Sequence, residues 1–381
     1  MRSDKNCPVC YSNLLVSVFR NNSIPIYNLQ YCKSSKKAQN IKKVSVNFNL
    51  CKNCGFLFNK IYKQLNYRIN YNSNRSYSLI YKTYLNKIFL ILKKKIKIKN
   101  LQNILEIGFG DGKFIKKFIK YKKKIFGFDP AYKNKIITGY KGIRLSNKIY
   151  DNKNFVNPNI LILRHVIEHI KSPNLFFKKI LHEKPEYLFL EFPCSDFVLN
   201  DNFHYFSNEH CSYFNKKSIS IILNKFGYQI ILTQKVFNKE NLVVVAIKSN
   251  INKIDKEYKV YNYKKKSFEN YEKKFFNFKH KIIKKINFLR KDIIWGASGK
   301  GVMLLNILNL NRKVMPYIVD LNEEIENTFI PVSSNKIISP KYLSKILTNN
   351  SVIFILNKLY KKEIENILKK LKLKNKVLNL I

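Results

Sequence analysis

Two pairs of cysteines near the start of the chain have the spacing of a metal site. Cys7 and Cys10 form one CxxC pair, and Cys51 and Cys54 form the second. Each CxxC turn can present two thiolates to one ion, and two such turns complete a tetrahedral shell. The pattern predicts a structural zinc ion held by all four thiolates, with no open position for catalysis. A redox pair is the alternative for either CxxC taken alone.

A glycine-rich stretch predicts a binding loop for a small molecule. Between an apolar run and an expected helix, the segment ILEIGFGDGKF places an acid and three alternate glycines: Glu106, Gly108, Gly110 and Gly112. Glycines let the chain turn tightly and let a ligand touch the backbone. The next apolar run, KIFGFD, ends in Asp129, which stands where an acid at the tip of a second strand binds ribose hydroxyls.

The ligand of this loop is either a dinucleotide or S-adenosylmethionine. The order ExGxGxG differs from the dinucleotide pattern GxGxxG, and Glu106 stands two residues before the first glycine. Both features favour S-adenosylmethionine, because its cationic methionine end needs no pyrophosphate site. A glycine turn without any ligand is the remaining alternative.

A cluster of histidines and an acid follows the next apolar run. NILILRHVIEHIKSP predicts a buried strand that runs into a helix carrying His165, Glu168 and His169. These residues could bind a metal ion, but two histidines one helical turn apart just after a strand favour pocket-wall and capping roles. We therefore expect His165 to line the cofactor pocket.

The last candidate is a Glu-His pair in FSNEHCSYF, residues 206–214. An imidazole titrates near neutral pH, so His210 is a candidate base, and Glu209 could orient it or support the imidazolium. The two residues alone are equally compatible with a polar surface loop. The surroundings that the rest of the chain builds must decide between these interpretations.

The apolar runs predict the elements that position these residues. Short apolar runs alternate with helix-like stretches from residue 73 to residue 249, which is typical of an α/β domain with a parallel sheet covered by helices on both faces. The expected strands are NILEIG, KIFGFD, NILILR, YLFLEF and NLVVVAI. Residues 1–72, which hold the cysteine pairs, are expected to form a small zinc-ribbon-like domain.

A second Rossmann-like unit is expected from residue 250 to residue 381. It opens with a lysine-rich segment whose apolar residues recur at helical spacing in EKKFFNFKHKIIKKINFL, which predicts a helix that links or docks domains. DIIWGASGKG then predicts a strand, a glycine loop and a helix, followed by the strands MPYIVD and SVIFIL and the helix KEIENILKKLK. The glycine spacing matches no cofactor fingerprint, so the loop either contacts a ligand or is a tight turn.

The composition bears on the partners of the chain. Its 381 residues suggest two or three domains, and 72 basic against 24 acidic residues give a formal charge of +48. Such a charge is typical of nucleic-acid-binding proteins, but only eight of the basic residues are arginine, the side chain favoured for reading bases. The abundance of Lys, Asn, Ile, Phe and Tyr indicates an AT-rich genome instead. We expect no specific nucleic-acid partner.

The targeting signals of a membrane or secreted protein are not expected here. The apolar runs are too short to span a bilayer, and MRSDKNCPVC lacks the apolar core of a signal peptide. We therefore expect no membrane association and a cytoplasmic location, in which the cysteines stay reduced.

In their order along the chain, these motifs resemble the bacterial sugar C-methyltransferase family. The resemblance lies in LCKNCGFLFN, then in LEIGFGDGKF, GFDP, LRHVIEHI and LEFP, and finally in WGASGKGVMLLNIL and FIPVSSNKIISP. It covers nearly the whole chain. It implies an N-terminal zinc domain, a central S-adenosylmethionine-dependent methyltransferase domain and a C-terminal Rossmann-like domain. The implied acceptor is a nucleotide-linked keto-deoxysugar.

The resemblance also implies roles for individual residues. The family segment similar to YHEHLSYF carries its catalytic His-Glu region, which Glu209 and His210 match, while Ser207-Asn208 stand in place of Tyr-His. Methylation of carbon needs an enolate, so His210 would be the base. Tyr71, from a segment similar to the family's Y-x-S, would donate to the enolate oxygen. The residues expected to contact the acceptor are Tyr213, Gly296 and Gly299.

Three alternatives to carbon methylation stay open. One is a degenerate, non-catalytic scaffold, against which the intact ExGxGxG pattern and Asp129 argue. A sugar oxygen or another small acceptor could receive the methyl group, because O-methylation needs only a hydroxyl and a base. The alternative of another class is a protein that binds nucleic acid through a zinc ribbon and its lysines.

Overall fold

The computed structural model of the chain describes residues 5–67, 71–72, 74–133, 139–151, 153–249 and 270–381. The strands within these residues are β1 (Leu15–Pro25), β2 (Lys43–Cys51), β3 (Leu57–Asn59), β4 (Asn103–Ile107), β5 (Lys124–Phe128), β6 (Ile143–Ser146), β7 (Ile160–Arg164), β8 (Tyr187–Pro193), β9 (Ser212–Tyr213), β10 (Tyr228–Val236), β11 (Asn241–Lys248), β12 (Ile293–Trp295), β13 (Tyr317–Val319), β14 (Lys336–Ile338), β15 (Val352–Ile355) and β16 (Lys376–Asn379). The α-helices are α1 (Ser35–Gln39), α2 (Leu79–Lys95), α3 (Pro173–Ile180), α4 (Ser195–Val198), α5 (Lys216–Lys225), α6 (Tyr271–Ile283), α7 (Gly299–Ile307), α8 (Leu343–Ile346) and α9 (Lys361–Lys370). None of the helices in the described ranges is long and apolar enough to cross a bilayer.

The first sheet joins the cysteine-bearing region to the middle of the chain. Its strand order is β1-β2-β3-β9, and all neighbours are antiparallel. Strand β9 belongs to the FSNEHCSYF segment and pairs Tyr213 with Leu57. We expected residues 1–72 to form their own domain, whereas this sheet is completed by a strand from the central region. The pairing fixes the place of Glu209 and His210, because they lie just before β9.

The central sheet has the strand order β10-β11-β8-β7-β4-β5-β6. The five strands from β8 to β6 are parallel, as predicted, and the apolar residues of its buried strands pack into cores. Strand β11 instead runs antiparallel to both β8 and β10, so the sheet is mixed rather than purely parallel. The sequence patterns predicted all of its strands except the two edge strands, β6 and β10, whose residues are largely half-exposed or exposed.

Two of the predicted helices are short 3-10 turns. After the glycine loop, residues Ile115–Tyr121 form 3-10 turns instead of an α-helix, and residues Ile167–His169 do so after β7. In the second case His165 takes a left-handed backbone conformation, with a φ of 55°. That conformation interrupts any helix at the end of the strand. Helix α3 begins only at Pro173, whose ring suits the first turn of a helix.

The third sheet is parallel throughout, with the strand order β14-β13-β12-β15-β16. As predicted, β12 leads through the glycine loop into α7, and β13, β15 and α9 lie at the expected places. The predicted linking helix is α6, and the part of the lysine-rich segment from 250 to 269 lies outside the described residues. The ring of Phe278 on α6 lies 5.2 Å from that of Phe203 in the central region. Helix α6 therefore docks against the central region.

Candidate functional site

The four cysteines predicted to bind a metal meet at one point. The sulfur atoms of Cys7, Cys10, Cys51 and Cys54 all lie within 4.8 Å of one another. The sulfurs of Cys7 and Cys54 are 3.6 Å apart, and those of Cys10 and Cys51 are 3.5 Å apart. Zinc–sulfur bonds of about 2.3 Å in a tetrahedron place the sulfurs about 3.8 Å apart, so the cluster fits a zinc ion. The backbone N–H of Val9 donates to the Cys7 sulfur at 3.4 Å, which is a supporting contact typical of such sites.

The glycine loop follows β4 and holds its three glycines in left-handed conformations. The φ angles of Gly108, Gly110 and Gly112 are 70°, 58° and 72°. A Cβ atom on Gly108 would lie 2.4 Å from Cγ2 of Val166, whereas one on Gly110 would meet nothing within 4 Å. The backbone at Gly110 is therefore open to a ligand. Asp129, at the tip of β5, accepts the N–H of Gly110 at 2.8 Å and fixes the shape of the loop.

Glu106 is a buried acid near the end of β4, two residues before the first glycine of the loop. Its side chain is 1% exposed, and its Oε2 atom has no hydrogen-bond partner among the described residues. Burial raises the pKa of Glu106 to about 8, although the positive charge of Arg164 acts in the opposite direction. A buried acid with an unused oxygen, close to an open glycine backbone, fits a cationic ligand group such as the methionine ammonium of S-adenosylmethionine.

His165 lies at the end of β7 and lines a cleft, while its place in the cofactor pocket stays a prediction. Its Nδ1 atom is 3.2 Å from Oε1 of Glu168, and its Nε2 atom is 3.3 Å from Oε1 of Glu191. Glu191 also forms a buried ion pair with Arg164, with 2.7 Å between Oε2 and Nε. Burial opposes protonation of His165, but Glu191 and Glu168 raise its pKa above the usual value. His165 is thus held between two carboxylates.

His210 lies where the central region crosses to the first sheet. Its backbone N–H donates to Oγ of Ser207 at 3.2 Å. Its ring meets the ring of His169 edge to face, with 4.9 Å between the centroids. Burial, followed by the neighbouring His169, lowers the pKa of His210 to about 3. The imidazole is therefore neutral near pH 7, which leaves one ring nitrogen able to accept a proton.

Glu168 faces this pair of histidines from the 3-10 turn that follows β7. A carboxylate oxygen of Glu168 and ring nitrogens of His169 and His210 all lie within 4.8 Å of one another. Its Oε1 atom pairs with His165, and its Oε2 atom has no hydrogen-bond partner within the described ranges. Burial disfavours ionisation of Glu168, but the three histidines hold its pKa below the usual value. Glu168 therefore provides a negative charge beside the His210 ring.

Glu209 precedes His210 in sequence, but its carboxylate contacts the N-terminal region. Its Oε1 atom accepts the backbone N–H of Asn28 at 2.6 Å and that of Leu29 at 3.2 Å. Burial raises the pKa of Glu209 to about 7. Its backbone carbonyl accepts from Nδ1 of His169 at 2.9 Å. In the described part of the chain, these bonds replace the direct orienting contact between Glu209 and the His210 ring that we expected, because the loop turns the carboxylate toward Asn28.

Tyr71 packs on Tyr67, and Tyr67 in turn contacts His169. The Tyr71 ring packs edge to face on Tyr67, with 5.3 Å between the centroids, and the Tyr67 hydroxyl is 3.0 Å from Nδ1 of His169. Burial raises the pKa of both tyrosines well above the usual value, so both hydroxyls keep their protons at neutral pH. The donor role of Tyr71 stays a prediction, and Tyr67 is a second hydroxyl at the same place.

Some of the candidate residues line a cleft that all three parts of the chain share, whereas Tyr71 and the residues of the first glycine loop are not among its lining residues. It is lined by residues that include Asn28 from the N-terminal region, Glu209 and His210 from the central region, and Gly296 and Gly299 from the C-terminal region. The cleft holds about 1420 Å³ of empty space, its open mouth included.

Of the three residues predicted to contact the acceptor, Gly296 and Gly299 lie at the cleft and Tyr213 does not. Gly296 and Gly299 line the cleft, while a Cβ atom on Gly301 would lie 1.9 Å from the Gly296 carbonyl oxygen. The loop is thus both a tight strand-helix turn and a wall of the cleft. The prediction for Tyr213 is wrong, because pairing of β9 turns its side chain into the core. Tyr213 is fully buried, and its hydroxyl donates to the Tyr205 carbonyl.

Several cleft residues were missed because nothing in their local spacing marks them. The Tyr31 hydroxyl donates to the Ala297 carbonyl at 2.9 Å, and Lys300 pairs with Glu240 at 2.6 Å. Arg75 also lines the cleft. Lys300 lies in the stretch DIIWGASGKG, whereas the other three are isolated residues in the sequence. Only the folded chain brings the four to one place.

Comparison with known families gives two matches. A family model described as a methyltransferase domain matches residues 71–233, and one described as a C-methyltransferase C-terminal domain matches residues 236–377. Between them they cover the glycine loop, the Glu-His segment and all of the third sheet except the end of β16. No curated protein matches the chain.

Solved structures with a similar fold have low identity to this chain. An S-adenosylmethionine dependent methyltransferase from Mesorhizobium loti is 9% identical with a TM-score of 0.37, and the match covers 45% of this chain and 98% of that one. Magnesium protoporphyrin IX methyltransferase from Synechocystis, with bound S-adenosylhomocysteine, is 13% identical with a TM-score of 0.36, and the match covers 45% and 84%.

Proposed function

Because the chain is an S-adenosylmethionine-dependent methyltransferase with a class I Rossmann-like fold and a C-methyltransferase C-terminal domain, we propose that it methylates a carbon atom of a nucleotide-linked keto-deoxysugar. The observation that carries the proposal is the setting of His210. Its neutral imidazole lines a cleft together with the glycine loop of the C-methyltransferase domain. Carbon methylation requires a base at such a place, because the carbon must first lose a proton.

His210 acts as that base in the proposed reaction. The proton leaves a carbon next to the ketone and moves to a ring nitrogen of His210, and the electrons of the C–H bond form the enolate. The ring becomes positively charged in this step. Glu168 offsets the new charge, because its carboxylate lies within 4.8 Å of the ring nitrogen. Glu209 supports the site by fixing the loop against Asn28 and Leu29.

The enolate oxygen needs a hydrogen-bond donor. Tyr71 is the proposed donor, and Tyr67 is the second candidate because its hydroxyl contacts His169. Both hydroxyls are protonated at neutral pH, since burial raises their pKa values. A donor hydroxyl near the base lowers the barrier by stabilising charge that appears only during the reaction.

The residues proposed to hold S-adenosylmethionine surround the first glycine loop. Glu106 would face the methionine ammonium, Gly110 would let the ligand approach the backbone, and Asp129 would bind the ribose. His165 would close the pocket beside the glycine loop. When bound, the cofactor supplies an electrophilic methyl group for the enolate carbon.

A structural zinc ion at the four cysteines would act on this site indirectly. The cysteine-bearing region pairs β3 with β9 and supplies the two backbone N–H groups that hold Glu209. Metal binding stabilises small domains whose ligands are dispersed in the unfolded chain. We therefore assign the zinc to holding the segment that contains His210 in place.

Two measurements test the proposal in sequence. Calorimetric titration of the zinc-loaded protein with S-adenosylmethionine should show binding at one site, and its absence would contradict the enzyme assignment for this chain. A panel of nucleotide-linked keto-sugars with labelled methyl donor should then give a labelled product. His210→Ala should bind the cofactor but lose turnover, whereas the control His280→Ala, an exposed histidine on α6, should keep full activity.

A further inference from the structure

Arg75 carries a guanidinium group that lines the cleft and has no hydrogen-bonded side-chain partner in the described part of the chain. It lines the cleft, and among the described residues none of its side-chain N–H groups forms a hydrogen bond or an ion pair. Its guanidinium lies 5.8 Å from the centroid of the Tyr81 ring, near the outer limit of cation–π attraction. A guanidinium has five N–H donors in a fixed fork. Arg75 therefore presents unused donors and a positive charge to the empty space.

The neighbouring charged groups of the cleft are already engaged. The ammonium of Lys300 lies 2.6 Å from the carboxylate of Glu240, so the two charges offset each other. Asp320 accepts the backbone N–H of Ala297 at 2.7 Å. Glu240 also attracts the positive charge of Arg75, but among the described residues no carboxylate forms an ion pair with its guanidinium. The N–H donors of Arg75 are therefore available to a bound molecule.

The loop that carries Arg75 is fixed on both sides. Asn74 accepts the backbone N–H of Ser76 through Oδ1 at 3.0 Å, and its carbonyl accepts from the side chain of Asn322 at 3.1 Å. The Ser76 hydroxyl donates to the carboxylate of Asp111 in the glycine loop. These bonds tie the loop to the C-terminal region on one side and to the cofactor loop on the other. A residue on such a loop is held ready for a ligand before the ligand binds.

We propose that Arg75 binds a phosphoryl group of the acceptor, an inference that rests on the proposed function. The planar fork of arginine matches two phosphate oxygens in a bidentate geometry. Ser298, the N-cap of α7, and Gly299, its first residue, line the same cleft and add the positive end of a helix dipole. Glu106 and Gly110 do not line it. The position of Arg75 therefore favours the acceptor over the methionine carboxylate as the source of the anion.

The test is calorimetric titration of the zinc-loaded full chain with inorganic pyrophosphate and, separately, with S-adenosylmethionine. Arg75→Gln should bind pyrophosphate about 10- to 150-fold more weakly than the wild type, because charge-assisted hydrogen bonds are lost. Its affinity for S-adenosylmethionine should not change. Arg75→Lys should restore only part of the affinity, since an ammonium lacks the bidentate fork.

Arg312→Gln is the matched control. The Arg312 guanidinium also lies over an aromatic ring, that of Phe329 at 5.3 Å, but it does not line the cleft. This variant should bind both ligands like the wild type. In turnover assays with an accepted keto-sugar, Arg75→Gln should raise the acceptor KM by a larger factor than it lowers kcat.

Three results would overturn the inference. The first is that the wild type does not bind pyrophosphate, and the second is that Arg75→Gln binds pyrophosphate as tightly as the wild type. The third is that Arg75→Gln loses affinity for S-adenosylmethionine instead of pyrophosphate. The last result would make the methyl donor the source of the anion. Failure of the proposed function has a different signature, because the wild type would then bind no S-adenosylmethionine or methylate no keto-sugar.

Discussion

Replacing Glu168 with glutamine removes the negative charge beside His210 and keeps the size of the side chain. The amide oxygen of a glutamine can still accept the hydrogen bond from His165, which in the native chain measures 3.2 Å. The substitution therefore isolates the charge from the packing. If His210 is the base, its protonated form loses the carboxylate that offsets its charge.

The size of the effect follows from Coulomb's law. A carboxylate oxygen of Glu168 and a ring nitrogen of His210 lie within 4.8 Å of each other. Two unit charges about this far apart attract each other by about 3.5 kcal/mol at an effective dielectric constant of about 20. Full loss of this attraction corresponds to roughly 300-fold in rate, and loss of half, for a proton half transferred in the transition state, to roughly 20-fold. We expect Glu168→Gln to slow proton abstraction by a factor in this range.

The assay measures proton abstraction without methyl transfer. The keto-sugar is incubated with the enzyme in deuterium oxide without methyl donor, and NMR follows deuterium entering the carbon next to the ketone. Glu365→Gln, on the exposed face of α9, is the control and should exchange at the wild-type rate. Calorimetry with S-adenosylmethionine verifies that the Glu168→Gln variant keeps its cofactor site.

An exchange rate within about twofold of the wild type in Glu168→Gln would refute this reasoning, because the charge would then have no part in proton transfer. A second bound metal ion in the wild type that is lost in this variant would also refute it. Glu168, His169 and His210 would then be metal ligands rather than a base and its supporting groups.

Three further outcomes are expected. Gly301→Ala should lower the free energy of unfolding by about 1–3 kcal/mol, because its Cβ would lie 1.9 Å from the Gly296 carbonyl oxygen. Gly299→Ala should leave the stability nearly unchanged, because its Cβ would make contacts only from 3.9 Å. Urea denaturation measures both variants, and equal stability of the two would contradict the packing argument. Cys51→Ser should lose the bound metal ion, as measured by elemental analysis, and most of its activity. The activity should fall because β9, next to His210, pairs with the strand that follows the cysteines. A metal-free variant that stays active would disprove the structural role of the metal. Burial raises the pKa of Glu106 to about 8, so its carboxyl group is mostly protonated at pH 7 in the ligand-free protein. A cationic ligand that lowers this pKa should therefore release close to one proton on binding. Calorimetry in buffers of different ionisation enthalpy measures this release, which should disappear above about pH 9 and in Glu106→Gln; release in that variant would point to another group.

The local patterns of the sequence predicted those parts of the fold that local chemistry determines. The buried strands of the central sheet are continuous apolar runs, and five of its seven strands could be placed from them. The CxxC pairs and the glycine loop could be found because the two cysteines of each pair, and the three glycines of the loop, lie within a few residues of one another in the sequence. The edge strands β6 and β10 were missed, because partly exposed strands carry no continuous apolar signal.

The contacts of the site depend on distant parts of the chain and could not be predicted in this way. Glu209 is next to His210 in sequence, yet its carboxylate bonds to Asn28 and Leu29. Glu168 is far from His210 in sequence and faces its ring. Tyr213 was expected in the site and lies in the core, because the pairing of β9 with β3 decides which way its side chain points. Strand pairing across such distances leaves no trace in local spacing.

The measurement that tests the central claim most directly is the position of the transferred methyl group. The enzyme is incubated with S-adenosylmethionine carrying a ¹³C methyl group and with each nucleotide-linked keto-sugar, and two-dimensional NMR identifies the atom to which the labelled methyl is bonded. The account predicts a methyl group on the ring carbon next to the ketone, formed by the wild type and lost in His210→Ala. A methyl group on a sugar oxygen, or a labelled product formed equally well without His210, would contradict it.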